Sequence, residues 1–287
     1  MRALNSYSLM DWICLTPIKW WLKNLRNYIW ATFFCLKKPA ELGIFIENLK
    51  KELAEKSSSH LYVSIAFERP EVIQLQAELM QKHCVGGVYI VVDNSNSRLK
   101  ASKIRDVCLN NNVLYLKLPN TLTNHPNRSH SLALQWIYQN IICELEVIGF
   151  GFLDHDIMPI RQVSPFLKHA RCELFGRRWD SKINHTWQLW PGFAFFKGSS
   201  LQGKKVSFLY DFSNKLDTMG MAYSTVFRFH DRKECFCSYR EMLVDRLGKI
   251  QILDDDWVHL SRSAVRNNLS FEERFRMFES TVRTLES

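Results

Sequence analysis

Residues 146–160 read "EVIGFGFLDHDIMPI". A run of Val, Ile and Phe stops at Asp154-His155-Asp156 and resumes at Ile157 and Met158. β-branched and aromatic residues favour an extended strand, and the end of this one carries two carboxylates one residue apart. Two close carboxylates repel unless they share a proton or a cation. A hard divalent cation, Mg²⁺ or Mn²⁺, is the usual solution, because it takes a few carboxylate oxygens and completes its shell with phosphate and water. The pair therefore predicts a metal site at a strand end.

Outward from this stretch the chain alternates. "LYVSIAF" (61–67), "GVYIVVDNS" (87–95) and "VLYLKLP" (113–119) are strand-like. "PEVIQLQAELMQKHC" (70–84), "SRLKASKIRDVCLNNN" (97–112) and "SHSLALQWIYQNIICE" (129–144) carry helical periodicity between them. The alternation predicts an α/β fold, a mostly parallel central sheet flanked by helices. Ligands bind such sheets outside the carboxyl ends of the strands. Two of those ends are polar here, Asp93-Asn94-Ser95 and Asp154-His155-Asp156. Neither GxGxxG nor GxxxxGK[ST] occurs, so a dinucleotide fingerprint and a P-loop have no support. Downstream, "CELFGRRWD" (172–180) and "TWQLWPGFAFFKG" (186–198) read as further strands.

The 287 residues suffice for one large domain or two small ones, and 46% hydrophobic content suffices for a sizeable core. Net charge is +9, of which residues 1–38 supply +5, six Lys/Arg against one acid. The basic surplus thus sits at one end and points to an anionic surface there, whereas a nucleic-acid protein would spread it along a groove. The eight cysteines have no zinc-ligand spacing and fit buried free thiols in a reducing compartment. In residues 16–38, Thr16 is expected as a helix N-cap and Pro17 as the first helical residue. Lys19, Lys23 and Arg26 fall on one face; Ile18, Trp21, Leu22, Leu25, Ile29 and Phe33 fall on another. Such a helix either lies in a membrane interface or docks on the protein's own core. The uncharged run 27–36 is too short to span a bilayer, which leaves a cytoplasmic protein, peripheral at the inner membrane face if the first alternative holds. A short helix near 40–55 and the Ser57–Ser59 linker complete an N-terminal extension, 1–59. A main domain, 60–265, and a C-terminal amphipathic helix, 266–287, follow. Ser270 and Glu273 have capping-box spacing.

The segments "VYIVVDNSNS", "RSHSLALQWIYQN", "VIGFGFLDHDIMPI" and "LWPGFAFFKGSSL" resemble, in order and spacing, nucleotide-sugar glycosyltransferases of the GT-A fold. The likeness covers about residues 60–260 and is greatest to the large inverting family 2 class, whose DxD signature matches "FLDHDIMPI". It implies a Rossmann-like nucleotide-binding half followed by an acceptor-binding half, and a divalent cation (Mn²⁺ or Mg²⁺). It also implies transfer with inversion from a nucleotide-sugar donor to a glycan or lipid-linked acceptor, with no nucleic acid involved. By the same likeness Asp93, Asn94, Ser95, Ala66 and Glu68 line the donor nucleotide, and Arg128 approaches its phosphate. Asp154 contacts ribose or, through water, the metal; Asp156 is the direct ligand, His155 points away, and His259 closes the metal shell. Trp190 and Gly192 border the acceptor, and Arg262 and Ser263 meet the diphosphate. An inverting transferase needs a carboxylate to take the proton of the attacking hydroxyl. Asp217, in "DTMG", is the first candidate base, although the related Asp-Thr-Gly-Gly motif is disturbed there. Asp254, in the run Asp254-Asp255-Asp256, is the second. Two further readings compete. A nucleotidyltransferase of the same fold would open with a Gly-rich basic loop, which "IAFERPEV" lacks, and a scaffold would keep the fold without turnover.

Overall fold

A computed structural model describes residues 4–286 apart from 57–59, 122, 124, 182–184 and 261–268. The expected Ser57–Ser59 linker and the pair Arg262 and Ser263 therefore lie outside the described residues. Three helices lead: α1 (Leu9–Ile13), α2 (Thr16–Cys35) and α3 (Leu42–Glu55). Alternation follows through β1 (His60–Ala66), α4 (Pro70–His83), β2 (Val88–Asp93), α5 (Arg98–Asn110), β3 (Leu114–Lys117), α6 (Pro126–Asn140) and β4 (Gly149–Asp154). The second half holds β5 (Ile157–Pro159), α7 (Pro165–Lys168), β6 (Leu174–Asp180), β7 (Trp187–Lys197) and α8 (Gly198–Leu201). It ends with β8 (Tyr239–Val244), β9 (Gly248–Leu253), β10 (Trp257–His259) and α9 (Phe271–Glu286).

The central sheet has six strands in the order β3-β2-β1-β4-β7-β6. β3, β2, β1 and β4 run parallel, and β7 is antiparallel to both β4 and β6. This is the mixed α/β architecture, mostly parallel and helix-flanked, that the alternation predicts. The period of two along β1 sorts its side chains. Leu61, Val63 and Ile65 enter the core beneath α2, α3 and α6, while Tyr62 and Ala66 enter the core beneath α4 and α5. Phe34, Phe45 and Leu49 share the first of these cores with β1 and β2, so α2 and α3 are built into the body of the sheet domain. A second sheet, β5-β10-β9-β8, is wholly antiparallel and packs with α9 through Phe275, Phe278 and Val282.

Chain ends are set locally. Thr16 is the first residue of α2 rather than its cap; the cap position is Leu15, with φ 54° and no side-chain bond. At α9 the reciprocal bonds form, Ser270 N–H to Glu273 (2.8 Å) and Glu273 N–H to Ser270 Oγ (3.2 Å). The far end of α9 is tied by Glu286, which accepts from Lys82 and lies 2.8 Å from His83 Nε2. Burial raises that carboxyl, but the bonds from Lys82 and His83 outweigh it and hold the pKa at about 2, against an ordinary 4.5. A depressed carboxyl stabilises the fold above its unfolded pKa and loses that contribution on acidification. The anchoring of α9 is therefore expected to weaken as pH falls from about 4.5 toward about 2. Thermal melts across that window should show the loss, and Glu286→Gln should flatten it.

Candidate active site

Strand order reverses between β1 and β4: β2 and β3 lie on one side of β1, and β4 on the other. A crevice at such a switch point, at the carboxyl ends of the strands, is where parallel sheets take ligands. Asp154 ends β4 there, level with Ile65 of β1. The chain then turns through His155 and Asp156 and leaves the central sheet as β5, which pairs with β10 so that Ile157 faces His259. The Leu260 N–H donates to the Asp156 carbonyl at 3.1 Å. This register sets His259 Nε2 3.5 Å from Asp156 Oδ1.

The other ring nitrogen defines the tautomer. His259 Nδ1 lies 2.9 Å from Gln251 Oε1, and that same oxygen accepts from Arg177 Nη1 at 2.6 Å. A guanidinium only donates, so Oε1 is an acceptor and Nδ1 carries a hydrogen. Nε2 is thus the ring nitrogen left to face a carboxylate oxygen, and a proton on it or a cation between the two would satisfy both atoms. Burial alone would raise the Asp156 carboxyl. The His259 imidazole, followed by His155, more than compensates and holds it below the ordinary value. His155 itself turns away, with Nδ1 3.2 Å from the Ile65 carbonyl.

Asp154 is set from two sides. Its Oδ1 lies 3.7 Å from His130 Nε2. A Cβ added at Gly192 would stand 2.4 Å from Asp154 Oδ2 and 2.6 Å from the Trp190 ring, so the bare backbone of β7 makes room for both. Trp190 lies 4.8 Å from the His259 ring and 5.1 Å from the Arg177 guanidinium. Gly192→Ala is expected to displace the Asp154 carboxylate and cut turnover about a hundredfold. Comparing kcat of that variant with its melting temperature separates displacement from unfolding.

A residue missed in the sequence holds the acidic turn. Gln76 of α4 is fully buried. Its amide NH₂ donates to the carbonyls of Asp154 (2.9 Å) and Ile157 (2.7 Å), while its Oε1 accepts from Ser64 Oγ (2.6 Å) and Tyr89 OH (2.8 Å). The available signal was a polar residue on the apolar stripe Ile73-Ala77-Met80, where only a satisfied amide can sit.

Asp217 reaches the same region through α6. Asn127 Nδ2 bridges its two oxygens at 3.1 and 3.2 Å, and the Thr218 N–H donates to it at 2.7 Å. Asn127 and His130 are three residues apart, hence on one face of α6. The first turn of that helix thus touches Asp217 with one side chain and Asp154 with the next.

The residues expected to line a donor nucleotide are closed in on themselves. Asp93 is fully buried and accepts from the Ser95 N–H and from Tyr115 OH. The Asn94 amide donates to Ser129 Oγ, and the Asn94 N–H to the Ala66 carbonyl. The Glu68 carboxylate accepts the N–H groups of Asn96 and Ser97 at the start of α5, and the Ser95 hydroxyl accepts the Glu68 N–H. Beside them the Lys117 ammonium is held below its ordinary pKa by burial, against the pull of Asp93 and Glu68. Two expected site residues are not brought in. Arg128 lies on the far face of α6 from His130, its guanidinium 5.4 Å from the Trp30 ring. Asp254 sits at the β9–β10 turn, five residues before His259, and faces His169 Nε2 (2.9 Å) and Lys168 Nζ (3.2 Å). His169, Cys237 and Asp254 form the one group of three metal-ligating side chains among the described residues whose ligand atoms all lie within 4.8 Å of one another. The Lys168 ammonium already neutralises its carboxylate. Cavities of about 370 and 630 Å³, one beside Tyr62 and Gly86 and the other beside Tyr138 and Gly198, open at the opposite end of the sheet.

No family model matches the chain, and no curated protein does. Among solved structures, S. aureus TarS is similar at 14% identity and a TM-score of 0.36, over 57% of this chain and 33% of that one. The chain thus spans about a third of TarS. At that similarity the comparison bears no functional weight, and the case rests on the site.

Proposed function

We propose that the protein is a glycosyltransferase acting on a nucleotide-sugar donor and a glycan or lipid-linked acceptor. The observation that carries the reading is the Asp156–His259 pair at the sheet's switch point. One imidazole nitrogen is committed to Gln251, and the other faces a carboxylate at a distance that a ring proton or a bound cation can bridge. A carboxylate with an imidazole suits Mn²⁺ better than Mg²⁺, which prefers an all-oxygen shell. Such an ion, when bound, supplies positive charge against the departing diphosphate.

The chain's own residues do the rest. Asp156 and His259 would hold such an ion, and Gln251 and Arg177 fix the imidazole from behind. Asp154, set by His130 and by the space at Gly192, orients donor ribose. Asn94 and Ser95 shape the donor turn. Trp190 offers a ring face to the acceptor sugar. Asp217, steadied by Asn127, takes the proton of the acceptor hydroxyl as its oxygen attacks the anomeric carbon and the bond to the diphosphate breaks. A thermal-shift screen of nucleoside diphosphates with and without Mn²⁺ tests this. Stabilisation by one base only when metal is present is the expected result and identifies the donor. Equal melting temperatures for every nucleotide, with and without metal, would leave a scaffold.

A further inference from the structure

α2 is docked with its polar side inward. The residues it buries are Asn24, Asn27, Ala31, Phe34 and Cys35, with Pro17 at its start. Asn24 carries the docking: its amide donates to Asp211 Oδ1 (3.1 Å) and Ser213 Oγ (2.8 Å), and its Oδ1 accepts the Phe212 N–H (3.0 Å). The opposite face consists of Ile18, Trp21, Leu22, Leu25, Ile29 and Phe33. All are exposed, Leu22 at 51% and Phe33 at 65%. Leu9 and Ile13 of α1 extend the same apolar surface, at 77% and 65%. The helix is about 30 Å long, and the stripe from Ile18 to Phe33 covers about 22 Å of it. A stripe of this size on a soluble face marks a binding surface rather than scattered surface apolar residues.

The charges around it choose the occupant. α2 contains no acidic residue, and Lys19, Lys23 and Arg26 line one edge of the stripe. On the other edge Lys205 Nζ lies 5.7 Å from the ring of Tyr28. Beyond it Lys204 and Arg228 flank the exposed ring of Phe229. An apolar stripe rimmed on both sides by cations, with Trp and Tyr at its margins, complements an anionic lipid surface: the apolar face enters the acyl boundary and the long cationic side chains reach the headgroups. A second copy of the chain would instead press the same cations against each other. Among the described residues no helix is long and apolar enough to cross a membrane.

We infer that α1 and α2 form an in-plane anchor that holds the protein on the surface of an anionic bilayer. This inference rests on α1, α2 and the basic residues beside them, and not on the transfer reading. Where the transfer reading also holds, it places the acceptor: Asn24 clasps residues 211–213, just ahead of Asp217, so the candidate base stands behind the lipid-facing helix and the acceptor is lipid-borne.

Co-sedimentation of the full chain with vesicles tests the anchor. Vesicles of phosphatidylcholine with about a third phosphatidylglycerol should pull the protein down, pure phosphatidylcholine should do so far less, and salt should release part of it. The triple variant Trp21→Ser, Leu25→Ser, Phe33→Ser changes only exposed side chains. It should keep its melting temperature and lose about tenfold or more in partitioning. Lys19→Glu with Lys23→Glu should erase the preference for anionic lipid. Wild type that stays in the supernatant, or a triple variant that sediments like wild type, overturns the inference. So does light scattering that shows a dimer dissociated by the same triple variant, which would assign the stripe to a second copy. Vesicle binding is read without donor or metal, so its failure is separate from failure of the nucleotide screen.

Discussion

Replacing Asp156 with alanine is expected to cut turnover roughly a thousandfold and to abolish any Mn²⁺-dependent stabilisation by a nucleotide, with little loss of fold. The size follows from removing one of the few groups that would set charge against the leaving diphosphate, a change worth about 10²–10³ in comparable sites. The fold should survive because the turn is held through its backbone. The Leu260 N–H bonds the Asp156 carbonyl and the Ile160 N–H bonds the Asp256 carbonyl, neither of which needs the carboxylate. Single-turnover rates with labelled donor, beside a thermal melt without ligand, are the measurements. Asp156→Asn is the sharper control: it keeps shape and loses charge, and it should fall nearly as far as alanine. Wild-type turnover in either variant would end the transferase reading of this pair.

Gln76→Leu is expected to destabilise the protein by about 4 kcal/mol, a fall in melting temperature on the order of 10 °C. The substitution nearly conserves volume, so the cost comes from polar groups left without partners. The hydroxyls of Ser64 and Tyr89 and the carbonyls of Asp154 and Ile157 all lose their bonds inside the core. Activity of the remaining folded fraction should also fall, because the two carbonyls bracket the acidic turn. Denaturant melts give the first number and kcat per folded molecule the second. A melting temperature within two or three degrees of wild type would mean that water or a neighbour satisfies those groups.

The parallel half of the fold was legible in the sequence because each strand is a short β-branched run and each helix shows its own periodicity. Strand order was not, since nothing local in 61–67 or 146–154 says which edges pair. The second sheet was the least visible part. Ile157–Pro159 and Trp257–His259 are three residues each, too short for alternation to register. That sheet is what brings His259 onto Asp156. The sequence alone offered the imidazole only by resemblance, whereas the ladder supplies the physical cause. Asp254 misled for a related reason: three consecutive acids look interchangeable in a string, yet the turn gives Asp254 and Asp255 positive φ angles and sends the first of them to Lys168 and His169. Arg128 misled because residues two apart on a helix diverge by about 200°, which takes it away from His130 and toward Trp30. The exposed stripe of α2 was readable as amphipathic. Which side faced inward was not, because one buried asparagine, Asn24, outweighed hydrophobicity by matching the groups at residues 211–213.

The pairing of β5 with β10 joins distant parts of the polypeptide: one residue of the candidate site precedes residue 160, and its partner follows residue 256. A ribosome that has released only the parallel half has made the acidic turn but not the imidazole facing it. Premature termination anywhere before the last hairpin would therefore yield chains that can build much of the sheet and still be inert, and competence should arrive late in synthesis, when that hairpin docks.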